Sequence, residues 1–177
     1  GLRLRLQALH EHRVQNSVVA FRLADRTLVP EGVAFDPRTG AYFVSSQYQR
    51  KIVRRTGDGV VKDFVTSGQD GLWMVFGIAA DPVRRILWAT STAEETMLGA
   101  TAQDAGGTAL FAFDLDTGAL KHRYTPPAGT EATFDDLALG DDGEVFVSDS
   151  ATGAIYVVLR DAQQLAVLIP PGQLGSP

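Results

Sequence analysis

The sequence predicts an all-β fold, a β-propeller of which this chain carries three four-stranded blades. Three observations carry that prediction. A segment of blade length recurs three times; turn-forming residues punctuate it at strand spacing; and the stretches between turns are rich in β-branched and aromatic residues without a helical period.

The repeat is read from its first strand. Pro30-Glu31-Gly32-Val33-Ala34-Phe35-Asp36-Pro37 is followed by Tyr42-Phe43-Val44-Ser45-Ser46. Phe76-Gly77-Ile78-Ala79-Ala80-Asp81-Pro82 leads in the same way to Leu87-Trp88-Ala89-Thr90-Ser91. Phe134-Asp135-Asp136-Leu137-Ala138-Leu139 leads to Val145-Phe146-Val147-Ser148-Asp149. Each unit is an apolar strand, a turn, and a second apolar strand that closes on small hydroxyl residues. The turns have a mechanism: proline presets its own φ in Asp-Pro, and Thr39-Gly40 and Asp142-Gly143 place glycine where φ is positive. Third strands are expected over 51–54, 109–113 and 154–158. Fourth strands are expected over 60–65, 119–124 and 165–169, after turns at Asp58-Gly59, Thr117-Gly118 and Asp161-Ala162. The blades therefore span about 29–66, 74–125 and 134–170.

Gly32 and Gly77 stand 45 residues apart, close to the 40–50 of a four-stranded blade, and Gly77 and Asp136 stand 59 apart. An Ala-, Gly- and Thr-rich insertion over 92–107, with Glu94-Glu95, accounts for the longer interval and reads as a surface loop with one helical turn. Residues 1–28 form an N-terminal segment with a strand at 18–23; Leu2, Leu4 and Leu6 alternate with Arg3 and Arg5 ahead of it. Three blades do not close a ring, since propellers use about four to eight. The ending Ser176-Pro177 also resembles Val29-Pro30 ahead of the first blade. The expectation is a partial propeller cut from a longer chain, with a homodimer of half-propellers paired through open edges as the competing account.

Composition narrows the function classes. A net charge of −5 with scattered basic residues argues against a nucleic-acid surface. The densest basic group, Arg50, Lys51, Arg54 and Arg55, reads as solvated strand edges. Without cysteine there are no disulfides, thiolate metal sites or thiol nucleophiles. No run approaches the roughly 18 apolar residues of a membrane span. The N-terminus shows no charged-then-apolar signal pattern; a mature chain or one beginning inside a gene would look the same. No G-x-S-x-G elbow, P-loop or dinucleotide fingerprint is present.

The motif Pro30–Pro37, the segment Asp114-Leu115-Asp116-Thr117-Gly118, and Asp135-Asp136-Leu137-Ala138 with Asp142-Gly143-Glu144-Val145-Phe146-Val147-Ser148-Asp149-Ser150 resemble the SMP-30/gluconolactonase/LRE family, related to NHL-type propellers. The likeness runs over about 18–177. It implies a six-bladed ring holding one divalent cation, Ca or Zn, at its central channel. It also implies opening of a small-molecule lactone or ester by metal-activated water. By that resemblance Glu31 is a metal ligand and Asp135 stands where the family has an asparagine near metal or substrate, which makes Asp135 a second metal ligand and Asp135 and Asp136 the catalytic pair. The family's remaining ligands lie on later blades. The second blade departs from the pattern, with Phe76 in the position of Glu31 as an apolar channel wall. Periplasmic or secreted residence fits such relatives, but no residue here specifies a compartment.

Each candidate has a plainer reading. Glu31 is otherwise an exposed carboxylate in a pre-strand turn, and Asp135 and Asp136 are a solvated turn residue and a backbone cap. Ser148-Asp149-Ser150 reads as hydrogen bonding at a blade edge. His10-Glu11-His12 is a metal pair if extended and otherwise a frayed tail. His122 reads as an exposed strand residue. Asp114-x-Asp116-x-Gly118 resembles the start of a calcium loop but lacks the downstream glutamate, so it is a strand end and turn. Trp73, Met74 and Phe76 are core or channel lining. A non-catalytic, NHL-like scaffold that binds a ligand or protein is the alternative to the hydrolase.

Overall fold

The computed structural model describes residues 18–174. Within them lie twelve strands in three sheets, each antiparallel and each in chain order. The first contains β1 (Pro30–Asp36), β2 (Ala41–Ser46), β3 (Lys51–Arg55) and β4 (Val61–Val65). The second contains β5 (Met74–Asp81), β6 (Ile86–Thr92), β7 (Thr108–Asp114) and β8 (Leu120–Tyr124). The third contains β9 (Phe134–Leu139), β10 (Val145–Asp149), β11 (Ile155–Val158) and β12 (Ala166–Ile169). The expected blades are present nearly residue for residue, and among the described residues the only helical structure is two three-residue 3₁₀ turns.

The turn chemistry is as the sequence implies. Asp36 accepts from the Arg38 amide (3.1 Å) and the Thr39 hydroxyl (2.8 Å). Asp81 accepts from the amides of Val83 (3.0 Å) and Arg84 (2.8 Å). Asp149, almost fully buried, accepts from the amides of Thr133 (2.9 Å) and Ala151 (3.0 Å) and from the Thr152 hydroxyl (2.6 Å), which bears out its reading as a blade-edge residue.

The sheets stack face to face. Ala34, Phe43, Ile52 and Val65 of the first pack against Val75, Ile78, Leu87 and Phe111 of the second. Trp88, Leu110 and Tyr124 on the opposite face of the second pack against Phe134, Val147 and Tyr156 of the third. A large apolar side chain fully buried in this way contributes about 1.5–3 kcal/mol, so these faces outweigh any one polar link. Polar links nevertheless set the alignment. Arg85, in the β5–β6 turn, pairs with buried Asp36 of the first sheet (3.0 Å), and neighbouring Arg84 donates to the carbonyl of Asp142 in the third (2.7 Å).

The first strands meet most closely, and they do so at a defect repeated three times. Pro30 pairs with Ser46 and Val33 with Val44; Val75 pairs with Ser91 and Ile78 with Ala89; Phe134 pairs with Asp149 and Leu137 with Val147. In each case the first strand has one residue more than its partner. Glu31-Gly32, Phe76-Gly77 and Asp135-Asp136 are therefore β-bulges opposite a single hydroxyl residue, Ser45, Thr90 or Ser148. Ser45 Oγ accepts from the Gly32 amide (2.7 Å) and donates to the carbonyl of Phe76 in the next sheet (2.9 Å). Thr90 Oγ1 repeats the link, donating to the carbonyl of Asp135 (2.7 Å). A Cβ on Gly32 would stand 2.7 Å from Phe76 O, and one on Gly77 would run into Asp136 Oδ1 and stand 3.0 Å from its Cα.

Two expectations are corrected. Residues 18–23 form no strand: they pair with no ladder among the described residues, and Phe21 and Leu23 instead pack on Leu28, Val44 and Val53. The basic group 50–55 is only partly solvated. Its members are half-buried, with Arg50 Nε donating to Leu72 O (3.0 Å), Lys51 paired with Asp63 (3.0 Å), and Arg54 and Arg55 over the rings of Phe64 (5.4 Å) and Phe21 (5.0 Å). Long basic side chains lie along apolar surface with their charge at its rim. The first residues of the chain, with Leu2, Leu4, Leu6 and His10-Glu11-His12, and the ending Ser176-Pro177 lie outside the described residues.

Gly32→Ala and Gly77→Ala are each expected to lower unfolding free energy by roughly 1–3 kcal/mol, the cost of forcing atoms into a packed contact. Gly40→Ala in an open turn, strained only by its positive φ, serves as the control, and urea denaturation measures all three.

Candidate functional site

The bulges decide where the candidate residues stand. Each first strand begins at the same end of its sheet, and the extra residue re-aims the side chains there. Equivalent positions at that end are Glu31, Phe76 and Asp135, followed by Gly32, Gly77 and Asp136. Glu31 and Asp136 are exposed, and Asp135 and Phe76 are half-buried. Phe76 offers no ligand, in keeping with the reading of an apolar wall between two acidic positions.

The charges of the two aspartates reach Glu31 although they lie two blades away in sequence. Partial desolvation at the mouth raises the Glu31 pKa above its ordinary value, and the charges of Asp136 and then Asp135 raise it further. Asp136 is also committed locally, since its Oδ1 accepts from the Leu137 amide (2.8 Å) and leans over Gly77. Its neighbour Ser148 accepts from the Asp136 amide (3.1 Å). Of the two aspartates it is thus Asp136 that caps a backbone amide, while Asp135 is half-buried.

Among the described residues no three Asp, Glu or His side chains converge closely enough to hold a metal ion by themselves. A calcium ion takes six to eight oxygens, and zinc takes about four donors. Glu31 and Asp135 offer carboxylate oxygens, the donor type a calcium ion takes, and do not make up such a shell.

The insertion leaves from the same end of the molecule. It follows β6 at Thr92, which pairs with Met74 at the start of β5, and it contains the single 3₁₀ turn Ala102–Asp104. Asp104 anchors it by accepting from Trp73 Nε1 (2.8 Å), and Trp73 in turn lies under the Arg123 guanidinium at 4.6 Å. The loop folds around an open cavity of about 470 Å³ lined by its own residues, Glu94, Glu95, Met97, Thr101 and Asp104 among them. Sequence reading placed the loop but had no signal for this cavity.

The remaining motifs take structural roles. Asp114 accepts from the amide of Thr117 (3.0 Å) and pairs with Lys121 (3.0 Å); the Lys121 ammonium and the Thr117 hydroxyl hold its pKa down at about 2. Asp116 is an ion-pair partner of Arg38 (3.1 Å), so the segment is a turn and an inter-sheet link. His122 is half-buried, against Tyr124 and the Gln163 carbonyl (3.2 Å), where an exposed residue was expected.

Known proteins agree on the fold. No family model and no curated protein matches the sequence. Among solved structures, a catalytically inactive virginiamycin B lyase from Staphylococcus aureus with quinupristin superposes with a TM-score of 0.66 at 16% identity, over 91% of this chain and 48% of that one. A gluconolactonase from Xanthomonas campestris gives 0.57 at 18%, over 78% and 46%. Hydrazine synthase of Kuenenia stuttgartiensis gives 0.56 at 12%, over 85% and 38%. The chain thus spans less than half the length of each of these structures. At such identities the likeness is one of fold: this is an all-β protein of the propeller class. Among the described residues no helix is long and apolar enough to cross a membrane.

Glu31 is expected to titrate above the usual glutamate range when followed by carboxyl NMR. Asp136→Asn should bring it down, and Asp135→Asn should do so by less. Because its folded pKa is raised, the folded state holds the proton more tightly than the unfolded one. Stability therefore falls as pH rises from the unfolded value through the folded one. Glu31→Gln should flatten that fall.

Proposed function

We propose that the chain is the three-bladed part of a propeller whose acidic mouth, built by Glu31, Asp135 and Asp136, receives a divalent cation in the service of lactone or ester hydrolysis. The observation that carries this reading is the gathering of carboxylates from two separate sheets at one end of the stack, close enough to raise the Glu31 pKa. Like charges held together without cationic partners cost free energy that a bound cation would offset. Glu31 and Asp135 would hold the ion, Ca or Zn, with further oxygens from outside these three blades. A bound ion of this kind polarises a carbonyl and acidifies water. Asp136, fixed by Leu137 and the Ser148-linked bulge, would orient a substrate hydroxyl or accept a proton at the carboxylate oxygen not engaged by Leu137.

The gluconolactonase likeness supports the substrate class only as an analogy of fold. The second reading, a scaffold that binds a ligand or protein partner without chemistry, is favoured by the incomplete donor set and by Phe76 in the middle position.

Calorimetric titration of the 177-residue chain with CaCl₂ and ZnCl₂ separates the two. We expect one weak site, with Kd of roughly 10⁻⁴–10⁻³ M as for calcium sites poor in charged ligands, weakened at least about tenfold in Glu31→Gln. Measurable turnover of a simple δ-lactone is expected only where the donor set is complete. Absence of ion binding, with an unmoved Glu31 titration, would leave the scaffold reading.

A further inference from the structure

We infer that a crevice between the second and third sheets, apart from the acidic mouth, binds a small carboxylate with an apolar, planar body. The inference stands whatever the mouth holds.

The crevice reaches in from the β5–β6 and β9–β10 turns, the ends of those first strands remote from the mouth. It is a cavity of about 250 Å³ lined by both sheets. Its apolar wall includes Trp88 and Tyr124 of the second sheet and Val158 of the third, all buried. The Trp88 and Tyr124 rings stand 5.9 Å apart, and the His122 ring lies 4.2 Å from Tyr124. Pockets for drug-sized ligands take roughly 300–1,000 Å³, so the occupant here is smaller. Aromatic walls favour a planar body that can stack on them or meet them edge to face.

The rim supplies the charge. Arg84, Lys121 and Arg160 line the cavity against one carboxylate, Asp161. Arg84 is already committed: it pairs with Asp81 (3.0 Å), donates to Asp142 O (2.7 Å), and fills the room at Gly143, where a Cβ would run into its guanidinium. Lys121 uses one ammonium donor on Asp114 (3.0 Å) and is 46% exposed. The only ion pair of Arg160 among the described residues is with Asp161, at 3.7 Å, and the two side chains are 67% and 92% exposed. A pair so long and so wet contributes little. The Arg160 guanidinium is thus free to take a planar oxyanion.

The neighbouring interface shows what is missing. Leu87 pairs with Phe113 and Val145 with Val158, so Asp116 and Asp161 are counterparts, each three residues beyond its ladder position. Asp116 bridges the first and second sheets, accepting from Arg38 (3.1 Å) and from Arg85 Nε (3.1 Å). Asp161 points into solvent and joins neither Arg84 nor Lys121. A ligand carboxylate between Lys121 and Arg160 takes over that bridging role. The turn that presents Arg160 is held ready for it. Tyr124 Oη donates to Ala162 O (3.1 Å), and His122 Nε2 faces Gln163 O (3.2 Å) and carries the proton, since a carbonyl only accepts. A turn fixed in this way lowers the ordering cost of binding.

Calorimetric titration of the 177-residue chain with sodium benzoate tests the inference, beside benzyl alcohol (no charge) and inorganic phosphate (no apolar body). Benzoate is expected to bind one site with a Kd on the order of 10⁻³ M, and both comparison compounds about tenfold more weakly or worse. In two-dimensional NMR the Trp88 indole N–H should shift with benzoate while that of Trp73 stays in place. Arg160→Gln and Lys121→Gln should each weaken binding about threefold or more, and Arg26→Gln, an exposed charge elsewhere, should leave it unchanged. Benzyl alcohol or phosphate binding as tightly as benzoate overturns the inference. So does an unmoved Trp88 signal, or rim variants that behave as Arg26→Gln does.

Discussion

Backbone approach between neighbouring first strands is the constraint on which this molecule depends. Sheets that stack face to face are ordinarily separated by two layers of side chains, about 10 Å. Here, at one end of β1 and of β5, that spacing collapses until a single methyl at Gly32 or Gly77 would touch the next backbone. Two devices permit it. Glycine at the second bulge position removes the obstructing atom, and a hydroxyl from the second strand reaches through to satisfy a carbonyl that the bulge has freed from its own ladder. Without that hydroxyl the carbonyl would be buried unpaired, at a cost of about 1–3 kcal/mol. The apolar faces supply most of the stabilisation; the bulge and its hydroxyl determine where the sheets meet.

The acidic mouth follows from the same geometry. A bulge spends one residue without advancing the ladder, so the side chains beside it turn out of the regular alternation. Three bulges in equivalent places turn Glu31, Phe76 and Asp135 out at one end, and the close packing that glycine allows brings the carboxylates of the first and third sheets within mutual influence. Loosely stacked sheets would hold the same residues too far apart to perturb one another. Assembly and candidate chemistry are coupled through one local irregularity.

Much of this was legible in the chain. The three units, their turns and nearly every strand boundary follow from Asp-Pro and Asp-Gly punctuation and from β-branched runs, because turn geometry is a local property. The equivalence of Glu31, Phe76 and Asp135 is likewise visible by laying the repeats over one another. Three readings failed because they concern partners distant in sequence, among them His122, which meets the Gln163 carbonyl. The segment 18–23 has the composition of a strand, but a strand needs a ladder to join, and its apolar residues found a sheet face instead. Arg50, Lys51, Arg54 and Arg55 look like solvent-facing charge, but Leu72, Asp63, Phe64 and Phe21 are waiting for them. The cavity within the insertion was not legible either, since loop composition does not reveal how the loop folds on itself.

What the sequence determined by itself is the repeated unit: four short strands, tight turns and small hydroxyl residues closing each second strand. These depend on φ preferences and side-chain patterning within a few residues. Only the tertiary structure decided that those hydroxyls cross from sheet to sheet, that glycine at the bulge brings backbones into contact, and that carboxylates some hundred residues away raise the Glu31 pKa. Such effects depend on distances between separate sheets, and a distance across space is set by how whole faces pack, a quantity that no local pattern encodes.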